Sequence, residues 1–109
     1  MNRELKRVKY RSGMLENGIK PKNLPIKIWN GIQISEEVRK AIEDENLMSL
    51  GGVFGDRNAG DPIEYDHLTL IDGGETVEIT VFNRGIALFT QHDERIRRIH
   101  RVLARLDKK

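Results

Sequence analysis

The chain has 109 residues, 38% of them hydrophobic and 33% charged, with no cysteine; a single domain over residues 1–109 with a modest core is expected. The missing cysteine excludes disulfides, thiolate nucleophiles and cysteine-ligated zinc or iron–sulfur centres. A formal net charge of +2 conceals three blocks: eight basic and two acidic residues over 1–30 (net +6), three and twelve over 31–80 (net −9), eight and three over 81–109 (net +5). No run approaches the roughly 20 apolar residues of a membrane span. The basic start, MNRELKRVKYRSG, is followed by no apolar segment of the kind a secretory signal needs, so a cytoplasmic location and no membrane partner are expected.

In chain order, residues 1–25 are sparse in apolar positions and interrupted by Gly13, Gly18, Pro21 and Pro25. KRVKY reads either as a short edge strand guarded by lysines or as part of a basic, partly flexible arm. In IKIWNGIQIS, Asn30-Gly31 between two apolar runs is a hairpin signal, although a two-residue turn there would put Ile26 and Ile28 on the face away from Trp29 and Ile32. Ser35 is the expected N-cap of a short helix near 36–46, with Glu36 and Glu37 in its first turn, where the helix dipole favours them. Val38, Ala41 and Ile42 form its apolar face. Gly51-Gly52 ends the LMSL stretch after that helix, and residues 51–62, GGVFGDRNAGDP, read as a glycine-rich loop.

From Ile63 the runs EYDHLTLI, ETVEITVF and GIALFTQ predict a three-stranded antiparallel meander, turned at Asp72-Gly73-Gly74 and at Asn83-Arg84-Gly85. Thr90 with Asp93 resembles a capping box. The closing helix carries Ile96, Ile99, Val102, Leu103 and Leu106 on one arc. The expected fold is therefore α+β: a three- to five-stranded, mostly antiparallel sheet packed by a C-terminal amphipathic helix, with a second short helix near 36–46. The expected core is Ile28, Ile34, Val38, Ile42, Leu68, Leu70, Val77, Ile79, Val81, Leu88, Phe89 and the apolar arc of the last helix.

Chemistry concentrates in the charged ends. Arg97, Arg101 and Arg105 follow at i, i+4 and i+8, with Arg98 and Lys108 beside them, a line suited to phosphate oxygens. Lys6, Arg7, Lys9 and Arg11 of the arm, with Tyr10, could extend it. The competing reading is a solvated helix face whose arginines pair locally with Asp93 and Glu94. No helix-turn-helix and no RNA-recognition aromatic pattern is evident. Trp29, Val53 and Phe54 are candidate protein-interface residues, Trp being enriched where binding energy concentrates, though each could equally cap or enter the core. His67, His92 and Asp93, or the acids Asp56, Asp61, Glu64 and Asp66, could in principle hold a divalent metal, but nothing has metal-motif spacing and GGVFG does not lead into a helix as a phosphate loop would. No catalytic residue, metal or cofactor is assigned.

The expected function is a small non-enzymatic binding protein that contacts an anionic partner, nucleic acid first and an acidic protein surface second, through the basic arm and the arginine face. The alternatives are a protein-binding regulator or adaptor using Trp29 and the 51–62 loop, and a small metal-dependent hydrolase.

Overall fold

The computed structural model describes residues 4–16, 18–57 and 60–109. Along them run β1 (Leu5–Leu15), β2 (Ile26–Asn30), α1 (Glu36–Asp44), β3 (Gly52–Gly55), β4 (Ile63–Asp72), β5 (Thr76–Phe82), α2 (Arg84–Thr90) and α3 (Glu94–Asp107), with 3-10 turns at Pro21–Asn23, Gly31–Gln33 and Leu47–Ser49. The strands form one sheet in the order β2-β1-β4-β5-β3. Every pairing is antiparallel except β3 on β5. This is the expected α+β class, a mixed, mostly antiparallel sheet packed by a C-terminal helix.

The basic KRVKY run is neither an edge strand nor an arm. It lies inside an interior strand, bonded to β2 on one side and to β4 on the other. Alternation explains why a run so rich in charge can sit there: Val8 and Tyr10 point inward and are buried, while Arg7, Lys9 and Arg11 point to the opposite face. Their inward neighbours continue across the sheet as Leu68 and Leu70 of β4 and Val77, Ile79 and Val81 of β5. Val38, Ala41 and Ile42 of α1 and Ile99, Val102, Leu103 and Leu106 of α3 close over these residues in one core. Helices α1 and α3 therefore cover the same face, and the other face of the sheet carries no α-helix among the described residues, only the 3-10 turn Pro21–Asn23 held by Arg11.

Three expectations fail for identifiable reasons. Asn30-Gly31 does not make a hairpin: Asn30 is the last residue of β2, and Gly31, at a φ of +54°, starts a 3-10 turn leading to α1. Arg39 holds that connection from α1, donating to the carbonyls of Gly31, Ile34 and Leu5. Ile28 consequently lies on the open face and is 47% exposed. GIALFTQ is not a strand. Asn83, in the left-handed region at a φ of 52°, turns the chain out of β5; its amide side chain bridges the Glu64 N–H and the Asp56 carbonyl. The helix that follows buries Ala87 and leaves Phe89 84% exposed and Leu88 only half-buried. The glycine-rich loop holds the fifth strand, β3, which displaces the expected third strand of the meander. Gly55 allows this: a Cβ there would sit 2.0 Å from the Phe82 carbonyl oxygen.

Local capping follows the sequence more closely. Ser35 accepts the Val38 N–H and starts α1. Asp93, rather than Thr90, is the N-cap of α3 and accepts the Arg95 N–H; Thr90 instead donates to the Ile86 carbonyl within α2. Leu47, in the 3-10 turn after α1, is fully buried and joins the core. From these placements, Leu103→Ala should lower the unfolding free energy by about 2–5 kcal/mol through transfer and cavity terms. Phe89→Ala should stay within about 0.5 kcal/mol. Equilibrium denaturation of the two variants checks the contrast.

Candidate functional site

Helix α3 covers one face of the sheet and the basic side chains Arg7, Lys9 and Arg11 of β1 project from the other, so the two basic ends of the chain do not merge into one patch. On the helix side the arginines meet the acidic middle of the sequence. Arg101 donates to both carboxylate oxygens of Glu45, at 2.9 and 3.2 Å, and to Glu94 at 3.1 Å. These bonds hold the Glu45 carboxyl below the usual carboxylate range. Arg98 donates through Nε and Nη2 to the Glu45 carbonyl, closing the C-terminal end of α1 where carbonyls lack helical partners. Arg105 turns back onto the Arg101 carbonyl at 2.6 Å. Arg97 is half-buried on α3, and Lys108 is exposed at its C-cap.

Between the sheet and the end of α3 sits a polar cluster that the sequence does not announce. Asp66 points inward from β4 and is 1% exposed. Its Oδ2 faces Arg84 Nε at 3.3 Å, and Arg84 Nη2 reaches Asp107 at 2.9 Å. Asp66 Oδ1 accepts from Ser12 at 2.9 Å and lies 2.7 Å from the Tyr10 hydroxyl, which is also 2.6 Å from Asp107. A phenol has one proton to give, so both short contacts are satisfied only when one of the two carboxyls carries a proton. Burial pushes the Asp66 carboxyl above its ordinary range, against the opposing pull of Arg84 and the two hydroxyls. The same burial, reinforced by Asp107, keeps Tyr10 protonated far into the alkaline range. Arg84 loses by desolvation but gains more from Asp66 and Asp107, so its pKa rises. Beside it His100, 3.4 Å from Arg84, is held below its ordinary value by burial and by that guanidinium. Tyr10 is thus part of an internal lock and not of the basic surface.

The helix-free face is built from the alternate residues. Arg7, Lys9 and Arg11 form a column on β1; Ile71, Thr69, His67 and Tyr65 lie next to it on β4, and Thr76, Glu78, Thr80 and Phe82 beyond on β5. Tyr65 and His67 have parallel rings 6.3 Å apart, Tyr65 meets Phe82 edge-on at 5.6 Å, and the Arg57 guanidinium lies over Phe82 at 5.0 Å. Linear reading missed this row because its rings come from two strands and become neighbours only through the β4–β5 register. His67 is oriented by Thr80 at 2.8 Å and Glu78 at 3.4 Å. The cations are not equally available. Arg11 donates to the carbonyls of Pro21, Lys22 and Leu24, pinning the turn whose Leu24 covers Gly13. Arg7 leans on the Asn30 side chain at 2.5 Å, and Lys6, at the bulge, pairs with Glu4 at 3.8 Å. Lys9 lies half-buried between Ile28 and Thr69.

The interface candidates are divided by the period of the strand. Val53 faces the open side and is 55% exposed, whereas Phe54 turns inward against the core with Arg95 over its ring at 5.1 Å. Trp29, opposite Val8, closes one end of the core and lines a cavity of about 50 Å³ with Leu106 and Lys109. The metal candidates do not converge. Among the described residues no group of three or more His, Asp or Glu is placed to hold an ion; His67 and Asp66 point to opposite faces, and Glu64 accepts the Gly85 N–H at 3.0 Å.

Removing Arg84 leaves a buried carboxylate without its countercharge. Arg84→Met should therefore cost about 3–5 kcal/mol near neutral pH. The sign with pH follows from the raised Asp66 pKa: a proton bound more tightly in the folded state stabilises below the unfolded value, about 3.9, and that contribution is lost as pH rises through the folded value. The Arg84→Met deficit should therefore shrink on acidification, read by denaturation at a series of pH values; a deficit that grows towards low pH would contradict it. No family model, curated protein or solved structure matches this chain.

Proposed function

We propose that this is a non-enzymatic binding domain for single-stranded nucleic acid, and that the open face of the sheet is where the strand lies. The observation that carries the reading is the placement, on one face free of α-helix, of the Arg7–Lys9–Arg11 column of β1 and, beside its Arg11 end, the His67–Tyr65–Phe82 row capped by Arg57. Backbone charge along a groove or strand, combined with rings on which bases stack, is how proteins hold single strands without reading a duplex groove. Tyr65 is too buried to offer its own face; it supports His67 and Phe82, which are half-exposed, and the Arg57 guanidinium is planar enough to stack on a base while contacting phosphate. Lys6 is exposed and adds long-range attraction. Arg98, Arg101 and Arg105 of α3 contribute less, because they donate to the Glu45 carbonyl and carboxylate, to Glu94 and to the Arg101 carbonyl.

A second reading, a protein-docking adaptor, draws on the exposed Val53 and on the groove beside Trp29. Pull-down from the native host with Trp29→Ala as control separates it, since undiminished capture removes Trp29 as an anchor.

For the leading reading, anisotropy of a short fluorescent single-stranded homopolymer should give an affinity whose logarithm falls with log salt at a slope of about −2, as expected when Arg7, Lys9 and Arg57 neutralise three phosphates. Phe82→Ala should weaken binding by roughly 1–3 kcal/mol per base lost from the stack. Lys9→Glu should abolish most of it, and Arg97→Glu with Lys108→Glu should change it little. Binding that is insensitive to Lys9→Glu, or salt-independent, would overturn the assignment of this face.

A further inference from the structure

Strand β2 ends the sheet, and its outer edge pairs with no other strand among the described residues. Large apolar side chains stand in solvent around it: Ile26 and Ile28 on the open face, and Ile32, 99% exposed, in the turn that follows. Soluble proteins ordinarily blunt such edges by shortness, bulges, proline or charge. The opposite edge obeys this, since β3 has four residues and glycine at both ends. β2 is regular over Ile26–Asn30, and Lys27 is its single charge.

The direction of its backbone groups can be read from one bond. The Asn30 N–H donates to Gln33 Oε1 at 2.9 Å, so Asn30 opposes Arg7 as a pair without ladder bonds. Directions alternate along a strand. The N–H and C=O of Ile28 therefore point out of the sheet at the centre of the free edge, while those of Lys27 and Trp29 serve β1.

We infer that this edge receives β2 of a second copy of the chain, antiparallel, with the two-fold axis passing through Ile28. In that register Ile28 exchanges both backbone bonds with its own copy and meets the copy's side chain on the open face. On the helix side Lys27 of each chain comes opposite Trp29 of the other, an ammonium beside an indole, which attract. Ile26 comes opposite Asn30. Sliding the pair by two residues in one direction sets Lys27 against Lys27, like charges directly opposed. A slip of one residue turns the second sheet over, sending its helices to the wrong side. Among these registers the one centred on Ile28 alone sets Lys27 opposite Trp29, and it keeps the open faces of both copies on the same side of a continuous ten-stranded sheet.

The chain has no native cysteine, so Ile28→Cys creates a single thiol. Directly opposed residues of antiparallel strands have Cα atoms about 4.5–5.5 Å apart, within the reach of a disulfide. Under mild oxidation of the full chain, without nucleic acid, Ile28→Cys should convert to a cross-linked dimer, while Val53→Cys, comparably exposed on the far edge, stays single. Sedimentation equilibrium of the unmodified protein should show the mass rising towards twice that of one chain with concentration. Ile28→Lys, which puts two ammonium groups on the axis, should return it to the single mass. A single-chain mass at every concentration, or cross-linking of Ile28→Cys no faster than of Val53→Cys, overturns the inference. Because no nucleic acid is present, either result leaves the open-face reading to be judged separately.

Discussion

Asp66 is the residue on which the arrangement turns. It occupies an inward position of an interior strand, next to Leu68 and Leu70 in the same row. An ionised carboxylate there is tolerable only with a countercharge and hydrogen bonds. Arg84 supplies the charge, and it reaches Asp66 only because the chain leaves the sheet at Asn83 and coils. A third meander strand would have sent that side chain elsewhere. Once α2 is formed, the chain returns along α3, and its last turn brings Asp107 to both Arg84 and Tyr10. The first strand and the final helical turn are thereby joined through one polar cluster. Removing the guanidinium would affect the seating of α2, the end of α3 and β1 together.

With α1 and α3 committed to the inner face, the charge blocks of the sequence acquire distinct fates. Five of the twelve acids of the middle block lie in α1 or at its C-cap, and α1 lies beside α3, where Glu45 pairs with Arg101 and Glu37 with Lys109 within the helix layer. Such surface pairs add little stability individually. Their larger consequence is to leave the opposite face without an equivalent set of acids. Glu78 is the acid that faces that side among the paired residues of β4 and β5, and it is turned towards His67. A formal charge near zero is therefore compatible with one strongly basic face.

How much of this was readable beforehand depended on the range of the interaction involved. The α1 cap and apolar arc, the β4–β5 hairpin with its Asp72 turn, and the stripe of α3 are set by neighbours within a few residues, and each was legible. The interior place of β1 was not, because Val8 and Tyr10 signal burial only once β2 and β4 are known to flank them. GIALFTQ satisfies β propensity locally and yields to the pairing of Arg84 with Asp66. Phe89 and Ile28 follow as errors of the same kind, apolar residues assigned to a core that another element had filled. The basic residues were identified from composition, but which of them share a face is a property of the sheet. The aromatic row was invisible for the same reason.

The open face and the free edge bear on each other through Lys9 and Ile28, which are opposed across β1 and β2. In the paired form the axis would carry two isoleucines flanked on each side by a lysine, and the two β1 columns would lie three strand spacings apart, about 14 Å. They would run antiparallel, so a single strand following one column would have to reverse direction to follow the other. Two columns at that distance favour a looped or folded strand over a straight one. Linking two sites in this way raises the effective concentration at the second without any new contact. Avidity would then depend on protein concentration, whereas stacking on Phe82 would not. On these two proposals the edge would govern how much nucleic acid one particle holds, and the face whether any is held at all.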